Sequence, residues 1–150
     1  MSVSVQHPYV RMNLVASAAR TADGNSGSIT DFPDNLHSAE FIVDVTAASG
    51  TSPTLDLAIE NSPDEGTTFY TAFRWAQITG TGPRRLVVRL LASDAGGEAS
   101  IPLDPTGGAL SASCPLSKTI RVRWNIGGTN PSFTFAVHAL GRHAGVGVPY

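Results

Sequence analysis

The side chains best placed for chemistry are three acids. Asp44, Asp56 and Glu60 recur at alternate positions of two neighbouring runs, AEFIVDVTA (39–47) and TLDLAIE (54–60). On extended strands this spacing puts them on one nominal solvent side, with Arg121 or Arg123 as partners. Paired carboxylates hydrolyse sugars when one is held protonated beside an ionised neighbour. Acids interspersed with Thr and Ala fit a solvated face better, so no catalytic residue is assigned. His7, His37, His138 and His143 do not form a ligand set, since only the last two are close and a spacing of five across a strand end builds no site. The run DGNSG (23–27) starts like a calcium loop but lacks the later glycine and glutamate, and turn chemistry accounts for it. Cys114, the single cysteine, excludes an internal disulfide and a thiolate metal cluster, and its neighbours Ser113 and Pro115 supply no base. No G-x-S-x-G run occurs, and Lys118, the lone lysine, follows no glycine-rich phosphate loop. No metal or organic cofactor is expected.

Such residues need a scaffold, and the composition describes one. The chain has 150 residues, of which 41% are hydrophobic and 15% charged. That length buries roughly two thirds of the extended chain's surface in one domain. Gly, Pro, Ser and Thr make up 36% of the residues, which suits short strands joined by turns. Period-two alternation then dominates. Phe41, Val43 and Val45 share a phase, as do Leu55, Leu57 and Ile59; Phe69, Thr71, Phe73 and Trp75; Leu86, Val88 and Leu90; Ile120, Val122, Trp124 and Ile126; and Phe133, Phe135 and Val137. Asp44, Thr46, Ala58 and Glu60 take the opposite, outward phase. The stretch ASGTSP reads as a polar connector and NSPDEG (61–66) as a strong turn. No helical period and no repeat of fixed length stands out. The expected fold is all-β, a two-sheet antiparallel β-sandwich; alternation gives faces and not strand order, so jelly-roll and immunoglobulin-like connectivity both fit. The domain is placed at 13–140, with an N-terminal arm at 1–12 and a C-terminal tail at 141–150.

Charge is divided unevenly. Residues 1–66 hold nine acids and two arginines, whereas 67–150 hold three acids and eight bases. Either the two signs meet across strands of one sheet, or they form complementary patches between copies. The net charge of -2 excludes a general polyanion binder, so no direct nucleic-acid contact is expected. No apolar run reaches the length needed to cross a bilayer, and no signal peptide is visible, which reads as synthesis in a cytoplasm. Trp75 and Trp124 fall on the core phase, leaving Tyr70 as the exposed aromatic within a strand. One tyrosine is a poor sugar platform, so glycan binding is the weaker alternative. The termini carry Tyr9 and Tyr150 among other apolar residues, which suits contact with a neighbour. The candidate interface is therefore Tyr9, Tyr70, Arg121, Arg123 and Tyr150.

The run FIVDVTAASGTSPTLDLAIENSPDEGTTFYTAFRW (41–75) resembles a segment of small β-sandwich virion proteins of tailed bacteriophages and gene transfer agents. The likeness lies in a Val-Asp-Val-Thr strand, a Gly-Thr-Ser-Pro-Thr-Leu-Asp connector, then Ser-Pro-Asp, Gly-Thr-Thr and an aromatic pair. It covers about a quarter of the chain. Glu65 stands where a second glycine is frequent and Phe69 where tryptophan is common. The resemblance implies a non-enzymatic particle component that decorates or stabilises the capsid, or else a neck, tail or fibre protein. It also implies as partners the major capsid protein or other virion proteins, and copies of itself. Asp44, Asp56, Pro63, Asp64 and Gly66 carry over as structural positions.

Overall fold

The computed structural model describes residues 9–33, 36–89 and 116–143. Its elements, all strands, are β1 (Tyr9–Arg20), β2 (Gly24–Asn25), β3 (Leu36–Asn61), β4 (Tyr70–Arg74), β5 (Gly82–Arg89) and β6 (Ile120–His143). No described residue is helical, so the all-β expectation holds. The strands form one antiparallel sheet in the order β1-β6-β3-β4, with β2 added to β6 and β5 added to β3. Residues 9–12, read as arm, belong to β1, and residues 141–143, read as tail, belong to β6. The rest of both ends, with Tyr150, lies outside the described residues, as do Cys114 and the ASIPL strand (99–103).

Two strands dominate. β3 runs for 26 residues and β6 for 24, and they pair with each other from Leu36 opposite His143 to Asn61 opposite Ile120. The ASGTSP stretch is therefore not a connector between strands but the middle of β3. Its ladder slips between Val45 and Ala47, between Ser49 and Thr51, and between Thr51 and Thr54. Each slip adds local twist and bend, and together they curl the sheet. The first half of β3 lies between β6 and β5, the second half between β6 and β4.

The curl brings the apolar phase of each half onto the other. Phe41 meets Phe73 at 6.2 Å between ring centroids, and Trp124 meets Phe135 edge-on at 5.6 Å, each pair joining residues from opposite sides of the bend. Phe41, Val43, Val45, Leu55, Leu57, Ile59, Phe73, Trp75, Ile120, Val122, Trp124, Phe133, Phe135 and Val137 are all buried, as their phases predict, whereas Phe69, Thr71 and Ile126, placed on the same phases, are half-buried. Ile78 joins them through a two-way backbone bridge to Leu55.

The bend also contains a repeat that the sequence reading missed. GTSPTLDLAI (50–59) and GTNPSFTFAV (128–137) have matching backbones: φ is 109° at Gly50 and 112° at Gly128, and 49° at both Ser52 and Asn130. Thr51 pairs with Thr129, and Ser49 with Ser132 mirrors Thr54 with Gly127. The relation is a pseudo-two-fold through the bend. It exchanges β3 with β6, β4 with β1 and β5 with β2, so each half is a short strand, a long bent strand and a flanking strand. A Cβ on Gly50 would sit 2.7 Å from the Asn130 carbonyl oxygen, and one on Gly128 2.7 Å from that of Ser52. Positive φ and backbone proximity both exclude a side chain here.

Gly50→Ala and Gly128→Ala are expected to destabilise by more than about 1 kcal/mol each, and by similar amounts. Gly80→Ala, where a Cβ meets nothing within 4 Å, serves as the near-neutral control. Urea unfolding of the three variants checks this. A circular permutant running 21–150 and then 1–20 keeps every described pairing, because Tyr9 already lies opposite Arg142. It is expected to retain the parent's circular dichroism and a cooperative melt.

Candidate functional site

The candidate residues converge at the end of the sheet formed by β4 and the facing halves of β3 and β6. Glu60 stands opposite Thr71 on β4 and Arg121 on β6, and Ala58 stands opposite Arg74 and Arg123. The Arg121 guanidinium donates through Nε to Glu60 Oε2, and Arg123 Nη1 reaches Glu60 Oε1 at 3.5 Å. Glu60 is only 3% exposed, while the Arg121 and Arg123 side chains are 26% and 41% exposed. Arg121 also lies 4.0 Å above the Phe69 ring, a cation–π contact.

This corrects the outward assignment of Ala58 and Glu60, both of which are buried. Alternation placed them on the correct face, but long arginine stems on either side close that face to water. Arg74, itself buried, belongs to the same cover. Of the two readings of the charge division, cross-strand pairing accounts for Glu60 with Arg121 and Arg123. It also accounts for Glu40 with Arg85, at 3.1 Å.

Tyr70 is 47% exposed and is fixed by its hydroxyl, which accepts a hydrogen bond from Asn61 Nδ2 at 2.6 Å. Asn61 Oδ1 in turn accepts from the Ser117 backbone N–H. Tyr70, Arg121 and Arg123 thus belong to one region, whereas Tyr9 is exposed at the far edge on β1. Trp75 and Trp124 are buried. Trp124 Nε1 donates to the Ala22 carbonyl, and Arg20 lies over the Trp124 and Phe135 rings at 4.9 and 4.4 Å. Burial against these rings lowers the Arg20 pKa from its ordinary value. The sequence reading missed Arg20, and its place at the end of an apolar strand gave no signal of this role.

Beside the cluster the NSPDEG turn is held by its own side chains. Ser62 Oγ donates to Asp64 Oδ1 at 3.0 Å and accepts from the Gly66 N–H at 2.7 Å, and the Thr68 N–H donates to Asp64 Oδ1 at 2.7 Å. Gly66 takes a φ of 104°, and the preceding Glu65 takes 59°. The hydrogen bond from the Thr68 backbone holds the Asp64 carboxyl below its ordinary range, helped by the hydroxyls of Thr68 and Ser62. A cleft of about 400 Å³ opens between Thr30, Pro63, Glu65 and Lys118. The Ser117 hydroxyl on its wall is spent on the Thr119 backbone, donating to the carbonyl and accepting from the N–H. Across the same face, burial raises the Asp56 pKa. The Gln77 hydrogen bond and the Arg74 charge oppose that rise, and Asp23 adds to it.

Among the described residues no group of three or more His, Cys, Asp or Glu is placed to hold a metal ion. Nor does any helix there have the length and apolarity to cross a membrane. Compared with protein-family models, curated proteins and solved structures, the chain matches none. Among the described residues Glu60, Asn61, Ser62 and Asp64 bond to neighbouring side chains and backbone, whereas the buried Trp75 Nε1 has no hydrogen-bond partner.

Arg121→Ala leaves Glu60 buried with only the longer Arg123 contact, so it is expected to cost about 1 to 3 kcal/mol. Arg123→Ala, at a more exposed pair, is expected to cost under about 1 kcal/mol. Denaturant titrations at neutral pH test the order. The two shifted acids respond to pH with opposite signs. Asp64, lowered on folding, adds stability above its unfolded pKa and loses it as pH falls through the folded value. Asp56, raised on folding, opposes folding as pH climbs through its folded value. Asp64→Asn should therefore melt below the parent at pH 7 and converge with it in acid. Asp56→Asn, which keeps an oxygen for the Gln77 amide, should melt at or above the parent at pH 7.

Proposed function

We propose that the protein is a non-enzymatic structural component of a phage or phage-like particle, one that decorates or stabilises the capsid. The observation that carries this reading is the use made of the strongest polar groups. Glu60, Asp64, Arg20 and Asn61 are all spent on architecture, and the carried-over Asp64 and Gly66 build a self-bonded turn. A rigid β-module whose polar residues brace the fold suits service as a building part. Neighbours that bind only the folded form would add to its stability.

The two-layer view of the fold, in which the halves of the curled sheet pack as in a β-sandwich, belongs to the same proposal. It rests on the Phe41–Phe73 and Trp124–Phe135 contacts across the bend. Carbohydrate binding is the weaker reading, because both tryptophans are buried and the neighbouring Phe69 ring lies under Arg121, which leaves Tyr70 as the exposed ring among the described residues of this end.

Mass spectrometry and cryo-EM of particles purified from a producing host test the proposal. The expected result is the chain on assembled particles at tens to hundreds of copies. A few copies would point to a neck, tail or fibre, and absence from particles would overturn the reading.

A further inference from the structure

The pseudo-two-fold gives each outer face of the curled sheet an internal control. The pair Glu60–Arg121 corresponds to His138–Ile42, and Ala58–Arg123 corresponds to Ala136–Asp44. On the β4 side the face is closed by its own arginines, and Ala58 and Glu60 are buried. At the corresponding places on the β5 side stand Ile42 and Asp44, side chains shorter than the arginines. Ile42, Asp44, His138 and Leu140 are half-buried, and Tyr9 and Val87 are more than half exposed around a cleft of about 170 Å³. Among the described residues the β5 side is the less completely covered of the two: Ala136 is buried like Ala58, but His138 is half-buried where Glu60 is buried.

The open face carries charge along its length: Glu40 pairs with Arg85, and Arg11 is exposed opposite Leu140. Arg142, opposite Ser38, and Asp44, opposite Ala136, sit at its two ends, about 20 Å apart along the strands. Neither has an ion-pair partner among the described residues. The apolar Ile42 and Leu140 lie between them, in the rows of His138 and Glu40.

We propose that a second copy of this chain docks on the β1–β6–β3–β5 face, about a two-fold axis crossing the strands between the Glu40 and Ile42 rows. Those rows lie on either side of the axis, and the Ser38 and Asp44 rows are equally distant from it. The operation therefore sets Arg142 of one copy beside Asp44 of the other, twice, over a centre formed by Ile42 and Leu140. This is the isologous arrangement that a closed dimer requires. Four strands about 4.8 Å apart over some 20 Å give on the order of 400 Å² per copy, about half of a standard stable interface. The contact is accordingly weak in dilute protein and strong where copies are held close together. It rests on the virion reading only for what holds them close.

Sedimentation velocity and small-angle scattering of the full chain over a wide concentration range, at low and physiological salt, provide the test. The parent should show a concentration-dependent dimer that weakens with salt. Asp44→Arg and Arg142→Asp, each checked for folding by circular dichroism, should each weaken association at least ten-fold. An equimolar mixture of the two should recover it, because both intermolecular contacts then pair unlike charges. A parent that stays monomeric at millimolar concentration overturns the proposal, as does a mixture no better than its components. A protein that dimerises in this way but is absent from particles would overturn the virion reading alone.

Discussion

The structure depends on one close approach of backbone to backbone. Where β3 and β6 cross the bend, Gly50 lies against Asn130 and Pro131, and Gly128 against Ser52 and Pro53. Without that approach the two long strands would remain an extended ribbon with an apolar side open to water. With it, each strand contributes to both halves of the core. The glycines are needed for two reasons at once, since their φ values and the facing carbonyl oxygens each exclude a Cβ. The prolines that follow suit positions where the ladder has slipped and an amide hydrogen is not required.

The outer faces show how the same frame can be finished in different ways. The β4 side buries a carboxylate, a costly group that is tolerated only with strong partners. Arg121 and Arg123 meet that requirement from the neighbouring strand, and their stems shield apolar surface as well. The Arg20 guanidinium performs a comparable task on the core side. It donates to the Ala16, Ala18 and Phe135 carbonyls while its plane covers two rings. In each case a residue that composition would assign to the solvent serves as part of the wall.

How much of this was legible depends on what alternation encodes. The phase of the runs at 41–45, 55–59, 120–124 and 133–137 could be read because a strand's side chains must alternate between two faces; at 69–75 it could not, since Ala72 to Trp75 are all buried while Phe69 and Thr71 are half-buried. The continuity of β3 and β6 could not. ASGTSP has the composition of a loop, and bulged strand centres use the same Gly, Ser and Pro as turns do. The repeat escaped notice because its two copies share the bend residues and an apolar pattern but few other identities. The ladder register reveals what the letters do not. For the site, the sequence placed Glu60 with Arg121 and Arg123 on one face. It could not show that the acid would be covered, because burial on a nominally outer face depends on how neighbouring long side chains lie.

The pairing of β3 with β6 also sets a timetable. Leu36 must find His143, and Asn61 must find Ile120, across intervals of many tens of residues. Among the described strands only the β3–β4 pairing is local. Closing such long loops is entropically slow, which puts chains of this topology among those that fold in milliseconds to seconds or longer. On a ribosome, β3 emerges well before the strand that covers it along its whole length. Until β6 arrives, one edge of β3 has only β5 and β4 on its other side and no long partner of its own. The same design that needs no separate second sheet thus makes the newly made chain wait, with its central strand open, for its last strand.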